Sequence, residues 1–93
     1  MRYNISIIKN VRLGAGHLCG SDYLAENKTD MWYILRSVRE YLTEEELKNG
    51  VEAIITEAEL RTLPNGTRFN PLFKKIAFRL NSKGKVIMKD LLK

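Results

Sequence analysis

The sequence predicts a small α+β domain, and three observations carry that expectation. Tyr3–Ile8 alternates apolar and polar residues with period two, and Met31–Leu42 repeats its apolar residues at helical spacing. Ile76–Met88 alternates on both sides of a glycine turn, as a β-hairpin does. With 93 residues there is room for one hydrophobic core, so residues 1–93 read as a single domain. Hydrophobic residues make up 44% and charged residues 29%, the balance of a globular chain and not of a disordered one.

The N-terminal strand sets Tyr3, Ile5 and Ile7 against Asn4 and Ser6 and ends on Ile8. Val11 and Leu13 extend it past a kink at Asn10. Gly14, Gly16 and Gly20 then fall within seven residues, a density that regular structure carries at high entropic cost. Residues 14–22 therefore read as a loop, with Ser21 able to cap one helical turn over Asp22–Glu26.

In the first helix, Met31, Ile34, Leu35, Val38, Tyr41 and Leu42 form one apolar stripe, while Arg36, Arg39 and Glu40 lie off it. Asp30 or Thr29 supplies the N-cap, and Trp32 and Tyr33 beside the stripe read as core or edge packing. Thr43-Glu44-Glu45-Glu46 is a capping box that starts a second helix, its glutamates suited to the positive end of the helix dipole. Two continuations compete from there. Leu47, Val51, Ile54, Ile55 and Ala58 make a helical stripe through Leu60, interrupted by Gly50. Alternatively Asn49-Gly50 ends the helix and Val51–Leu63 is a strand. The Glu- and Ala-rich composition and the poor alternation favour the helix.

Pro64-Asn65-Gly66 and Ser82-Lys83-Gly84 both fit a type I turn followed by a left-handed glycine. Around the second, Ile76, Phe78 and Leu80 interleave with Lys75, Ala77, Arg79 and Asn81, and Val86 and Met88 follow. A helix starting at Pro71, capped by Asn70, is the rival reading. The C-terminal antiparallel hairpin is preferred because it uses every apolar residue and gives Gly84 a purpose.

Charge is the strongest pointer to function. The net +5 divides into +2 over residues 1–42, −4 over 43–63 and +7 over 64–93. The basic third presents Arg68, Lys74, Lys75, Arg79, Lys83, Lys85 and Lys89 on or beside the hairpin. Such a cluster suits phosphate contact, because each neutralised phosphate releases condensed counterion. A two-stranded ribbon also fits a DNA major groove, and Phe73 or Phe78, if exposed, could stack on a base. Arg12 and His17, flanking the glycine-rich segment, are further candidates for contact with an anion.

Enzymatic chemistry has little support. His17 and Cys19, two apart among glycines, lack a third group to orient a base. With Asp22 they fall short of a four-ligand zinc cage, and Gly14-x-Gly16-x-x-x-Gly20 misses the dinucleotide-binding spacing. No cofactor or metal is expected. The lone Cys19, the absence of a long apolar run and an N-terminus without signal-peptide features point to the cytoplasm, of a cell or of an infected host.

The leading expectation is therefore a non-enzymatic module whose basic hairpin contacts nucleic acid or a nucleoprotein complex. The alternative is a protein-binding inhibitor or adaptor, with the acidic helix start facing a basic partner. In size and charge segregation the chain resembles small accessory proteins of phages and mobile elements, including inhibitors of host defence nucleases. A Phe-rich hairpin edge could also pair with a second copy to form a homodimer.

Overall fold

Five strands form one antiparallel sheet in the order β2-β1-β3-β6-β7. They are β1 (Tyr3–Lys9), β2 (His17–Ala25), β3 (Val51–Glu57), β6 (Leu72–Leu80) and β7 (Val86–Asp90). Two helices, α1 (Lys28–Tyr41) and α2 (Glu44–Asn49), connect β2 to β3, and a small ribbon of β4 (Arg61–Thr62) and β5 (Arg68–Phe69) connects β3 to β6. The computed structural model describes residues 1–14 and 17–92, with the backbone alone for 17–22. Among these residues no helix is long and apolar enough to cross a membrane.

The core follows from period-two alternation on three central strands. Tyr3, Ile5 and Ile7 of β1, Val51, Ala53 and Ile55 of β3, and Ile76 and Phe78 of β6 are all buried. Their register pairs Ile5 with Ile55, Ile7 with Ala53, Ala53 with Ile76 and Val51 with Phe78, so they share one face. Met31 and Leu35 of α1 and Leu47 of α2 close against that face. Among the described residues no helix packs on the other face. Asn4, Ser6 and Ile8 of β1, Glu52, Ile54 and Thr56 of β3, and Lys75, Ala77 and Arg79 of β6 lie on it.

The predicted α+β architecture, with its N-terminal strand, two helices and C-terminal hairpin, is the observed one. The capping box is formed as expected: the Thr43 hydroxyl accepts from Glu46 N–H at 3.1 Å, and the Glu46 carboxylate accepts from Thr43 N–H at 2.9 Å.

Several expectations are corrected. The favoured helix beyond Gly50 is instead strand β3. Val51, Ile54, Ile55 and Ala58 fit a helical stripe while Val51, Ala53 and Ile55 fit period two, and pairing with β1 on one side and β6 on the other overrides the helical preference of Glu and Ala. Residues 17–22, expected in a loop, belong instead to a strand, and no helical turn spans Asp22–Glu26. His17–Ala25 runs as a strand paired antiparallel to β1, with an irregularity between Ser6 and Ile8 taking up the mismatch. Val11–Leu13 is a 3-10 turn and not an extension of β1, because Asn10 adopts φ 60° and reverses the chain. Helix α1 starts earlier than read, at Lys28, with the Asn27 side chain accepting from Asp30 N–H at 2.8 Å. Finally, Tyr41 leaves the apolar stripe and is 84% exposed.

Candidate nucleic-acid interface

The β6–β7 hairpin is set by its turn. Gly84 takes φ 76°, and the Asn81 side-chain oxygen accepts from both Lys83 N–H and Lys85 N–H at 2.9 Å. Backbone bonds from Asn81 N–H to Lys85 O (2.8 Å) and from Gly84 N–H to Asn81 O (3.0 Å) close the loop. This fixed turn displays Lys83 and Lys85 at the tip, both exposed. The same device recurs at the ribbon, where Asn65 Oδ1 accepts from Thr67 N–H at 2.9 Å and Gly66 takes φ 89°.

Register divides the hairpin's side chains between two faces. Phe78 pairs with Met88 and Leu80 with Val86 on the helix-covered face. Ala77 pairs with Lys89 and Arg79 with Ile87 on the helix-free face. Arg79 and Lys89 are thus diagonal neighbours across the two strands, a relation that places β-carbons about 7–8 Å apart or a little less. Both are exposed, and with Lys83 and Lys85 they enter no ion pair among the described residues.

The other predicted contacts are dispersed. Lys74 lies on the helix-covered face, where its ammonium sits 3.0 Å from Asp90 Oδ2 and over the rings of Phe73 (5.6 Å) and Trp32 (5.9 Å). Its charge serves packing between α1 and the sheet. Lys75 lies on the helix-free face, 3.5 Å from the Glu52 carboxylate. Arg68 is exposed on the ribbon, beyond the start of β6. Nine strand residues at about 3.4 Å each separate it from the hairpin tip. His17 opens β2 opposite Lys9, and its side chain lies outside the described residues.

Phe78 is 1% exposed and Phe73 packs on Tyr3 with ring centroids 4.7 Å apart, so neither is placed to stack on a base. The hairpin is also not a free ribbon. It is one edge of a five-stranded sheet, too wide to enter a major groove edge-on in the manner of two strands.

Arg12, in the 3-10 turn, is brought to the same end of the sheet as Arg79. Both line a shallow cleft with Gly50, Glu52 and Phe78. The Arg12 guanidinium donates from Nη1 to the Lys48 carbonyl at 3.2 Å.

One feature escaped the sequence reading. A groove of about 410 Å³ runs between α1 and the β1–β2 side of the sheet, floored by Ile7, Ile34 and Val38 and walled by Tyr23, Tyr33 and Tyr41. Tyr33 and Tyr41 are 68% and 84% exposed. Their signal was present: Tyr33, Ser37 and Tyr41 form an i, i+4, i+8 row along the helix. The Lys9–Glu46 ion pair sits near this groove, and that hydrogen bond, with the one from Thr43 N–H, holds the Glu46 carboxyl below its ordinary range.

The chain matches no protein-family model, and neither a curated protein nor a solved structure shows significant similarity to it.

Proposed function

We propose that this protein is a non-enzymatic module that binds the phosphate backbone of a nucleic-acid duplex through the tip and helix-free face of the β6–β7 hairpin. The observation that carries the reading is the group Arg79, Lys83, Lys85 and Lys89. These are four exposed cations, adjacent in the fold and in no ion pair among the described residues. A carboxylate on that face, Glu52, is paired with Lys75 at 3.5 Å. A net positive field therefore projects from one end of the sheet.

The choice of duplex over single strand rests on what accompanies the charge. Sheet surfaces that grip single strands offer aromatic rings on which bases stack. Here the described residues of the helix-free face include Ser6, Ile8, Ile54, Ala77 and Ile87 beside the cations, with no ring among them. Such a surface suits backbone contact without base readout. Lys85 and Lys89 flank or lie on the outer strand β7, where charge discourages pairing with a second copy of the edge.

Binding of a labelled duplex across a salt series tests the proposal. Four phosphate contacts predict a slope of log K against log salt of about −3.6, on the order of a 100-fold loss between 50 and 200 mM. No binding at low ionic strength would sink it.

A second reading, a protein-binding inhibitor or adaptor, is favoured by the tyrosine groove. Exposed tyrosines around an apolar floor are typical anchors for protein partners. Under that reading Tyr33→Ala and Tyr41→Ala abolish function, and reversing Arg79 and Lys89 does not.

A further inference from the structure

We propose that Arg12 and Arg79 form a clamp for a single phosphate group at the cleft where the Val11–Leu13 turn crosses the end of β3. The inference rests on the duplex-backbone reading and extends it, because it recruits a residue from the N-terminal part of the chain into the same contact surface.

The cleft is built by a close approach that favours glycine. Val11 N–H donates to the Gly50 carbonyl at 3.2 Å, drawing the turn onto the chain between α2 and β3. A β-carbon on Gly50 would lie 3.1 Å from both Arg12 Cγ and Arg12 N, and 3.3 Å from Val11 Cβ. Gly50 also takes φ 93°, which side chains rarely adopt. Arg12 is thus seated directly against the sheet, and its bond to the Lys48 carbonyl fixes where the guanidinium points.

That bond occupies one of five guanidinium N–H donors, leaving four. Arg79, on the neighbouring strand position, has no hydrogen-bond or ion-pair partner among the described residues. The shallow cleft that both residues line has a volume of about 100 Å³. A shallow cleft of this size can receive one tetrahedral anion from solvent. Glu52 lines the same cleft, but Lys75 neutralises it, so the two arginines determine the local charge. Planar, forked guanidiniums match phosphate oxygens bidentately, which lysine does not.

The test follows the arginine side-chain Nε–H signals by NMR during separate titrations with inorganic phosphate and with a duplex, alongside salt-series affinities for variants. Both Arg12 and Arg79 signals are expected to shift with either probe. Arg12→Ala is expected to weaken duplex binding about tenfold with the salt slope near the parent's, because Arg79 still neutralises the shared phosphate, and Arg12→Lys likewise keeps the slope but not the affinity. Should Arg12→Ala leave slope and affinity unchanged while Lys83→Ala/Lys85→Ala lowers both, the clamp is overturned and the backbone reading stands. Shifts with phosphate in a protein that binds no duplex would support the clamp and overturn the duplex reading. Silence of both signals with both probes overturns the clamp outright. Thermal melts of Arg12→Ala and Arg12→Lys that match the parent exclude misfolding as the cause of any loss.

Discussion

Lys74 and Lys75 are adjacent in the chain and end on opposite faces of the sheet, Lys74 at 3.0 Å from Asp90 and Lys75 at 3.5 Å from Glu52. One residue of register separates a structural cation from a surface one. Lys74 is half-buried among Phe73 and Trp32, so its loss should act on stability. Lys74→Ala is expected to cost about 1–2 kcal/mol in urea melts, between the values for exposed and buried pairs. Its salt slope for duplex binding should match the parent's.

Arg79→Ala and Lys89→Ala should show the reverse pattern. Both residues are exposed and outside any ion pair among the described residues, so stability should move by less than about 0.5 kcal/mol. Duplex affinity should fall for each, with the salt slope reduced by about 0.9 per residue. Equal affinity for the parent and the double variant in 50 mM salt would remove the hairpin from the interface.

These contrasts mark how far the sequence could be read. The alternation of Ile76, Phe78, Leu80, Val86 and Met88 about Gly84 specified the hairpin locally, as Thr43 and Glu46 specified the start of α2. Val51–Glu57 was different. Its apolar residues satisfy both a 3.6 and a 2.0 period, and only contacts from β1 and β6, distant in sequence, decide between them. The partner strand β2 was hidden by glycines for the same reason, since its pairing is supplied by β1. For the site, the basic residues were legible but their pairing was not. Which lysines meet Asp90 and Glu52 depends on strand register, and the placing of Arg12 on the cleft that Arg79 also lines depends on the left-handed conformation of Asn10.

Gly50→Ala tests the junction that seats Arg12. The substitution sets a β-carbon against Arg12 and Val11 and imposes an unfavourable φ. Together these should destabilise the fold by about 1–3 kcal/mol. Duplex affinity should fall further than Arg12→Ala alone in folded protein, because the whole turn is displaced. Wild-type stability in this variant would mean that the turn is not held against the sheet.

Glu46 gives a pH dependence of defined sign. Its carboxyl is held below the ordinary range, first by the hydrogen bond from Lys9 and then by that from Thr43 N–H. A lowered folded pKa contributes stability that is complete above the unfolded value, about 4.3, and is lost as pH falls through the folded value. Urea midpoints should therefore decline from pH 6 towards pH 3. Glu46→Gln should lower stability at pH 6, by about 1 kcal/mol for the lost charged cap, and flatten the decline. An unchanged pH slope in that variant would assign the acid sensitivity to other carboxylates.

The tyrosine groove allows the two functional readings to be separated without disturbing the fold. Tyr33 and Tyr41 are 68% and 84% exposed, so little apolar area leaves water through them, and truncation to Ala should change stability by less than about 0.5 kcal/mol. Neither residue lies on the helix-free face, so duplex affinity and salt slope should match the parent's. Melts and salt-series binding of Tyr33→Ala/Tyr41→Ala check both expectations. A destabilisation above about 1 kcal/mol would show that the rings close over Ile34 and Val38 as part of the core. Loss of duplex binding with stability intact would move the interface from the hairpin to the helix-covered side of the molecule.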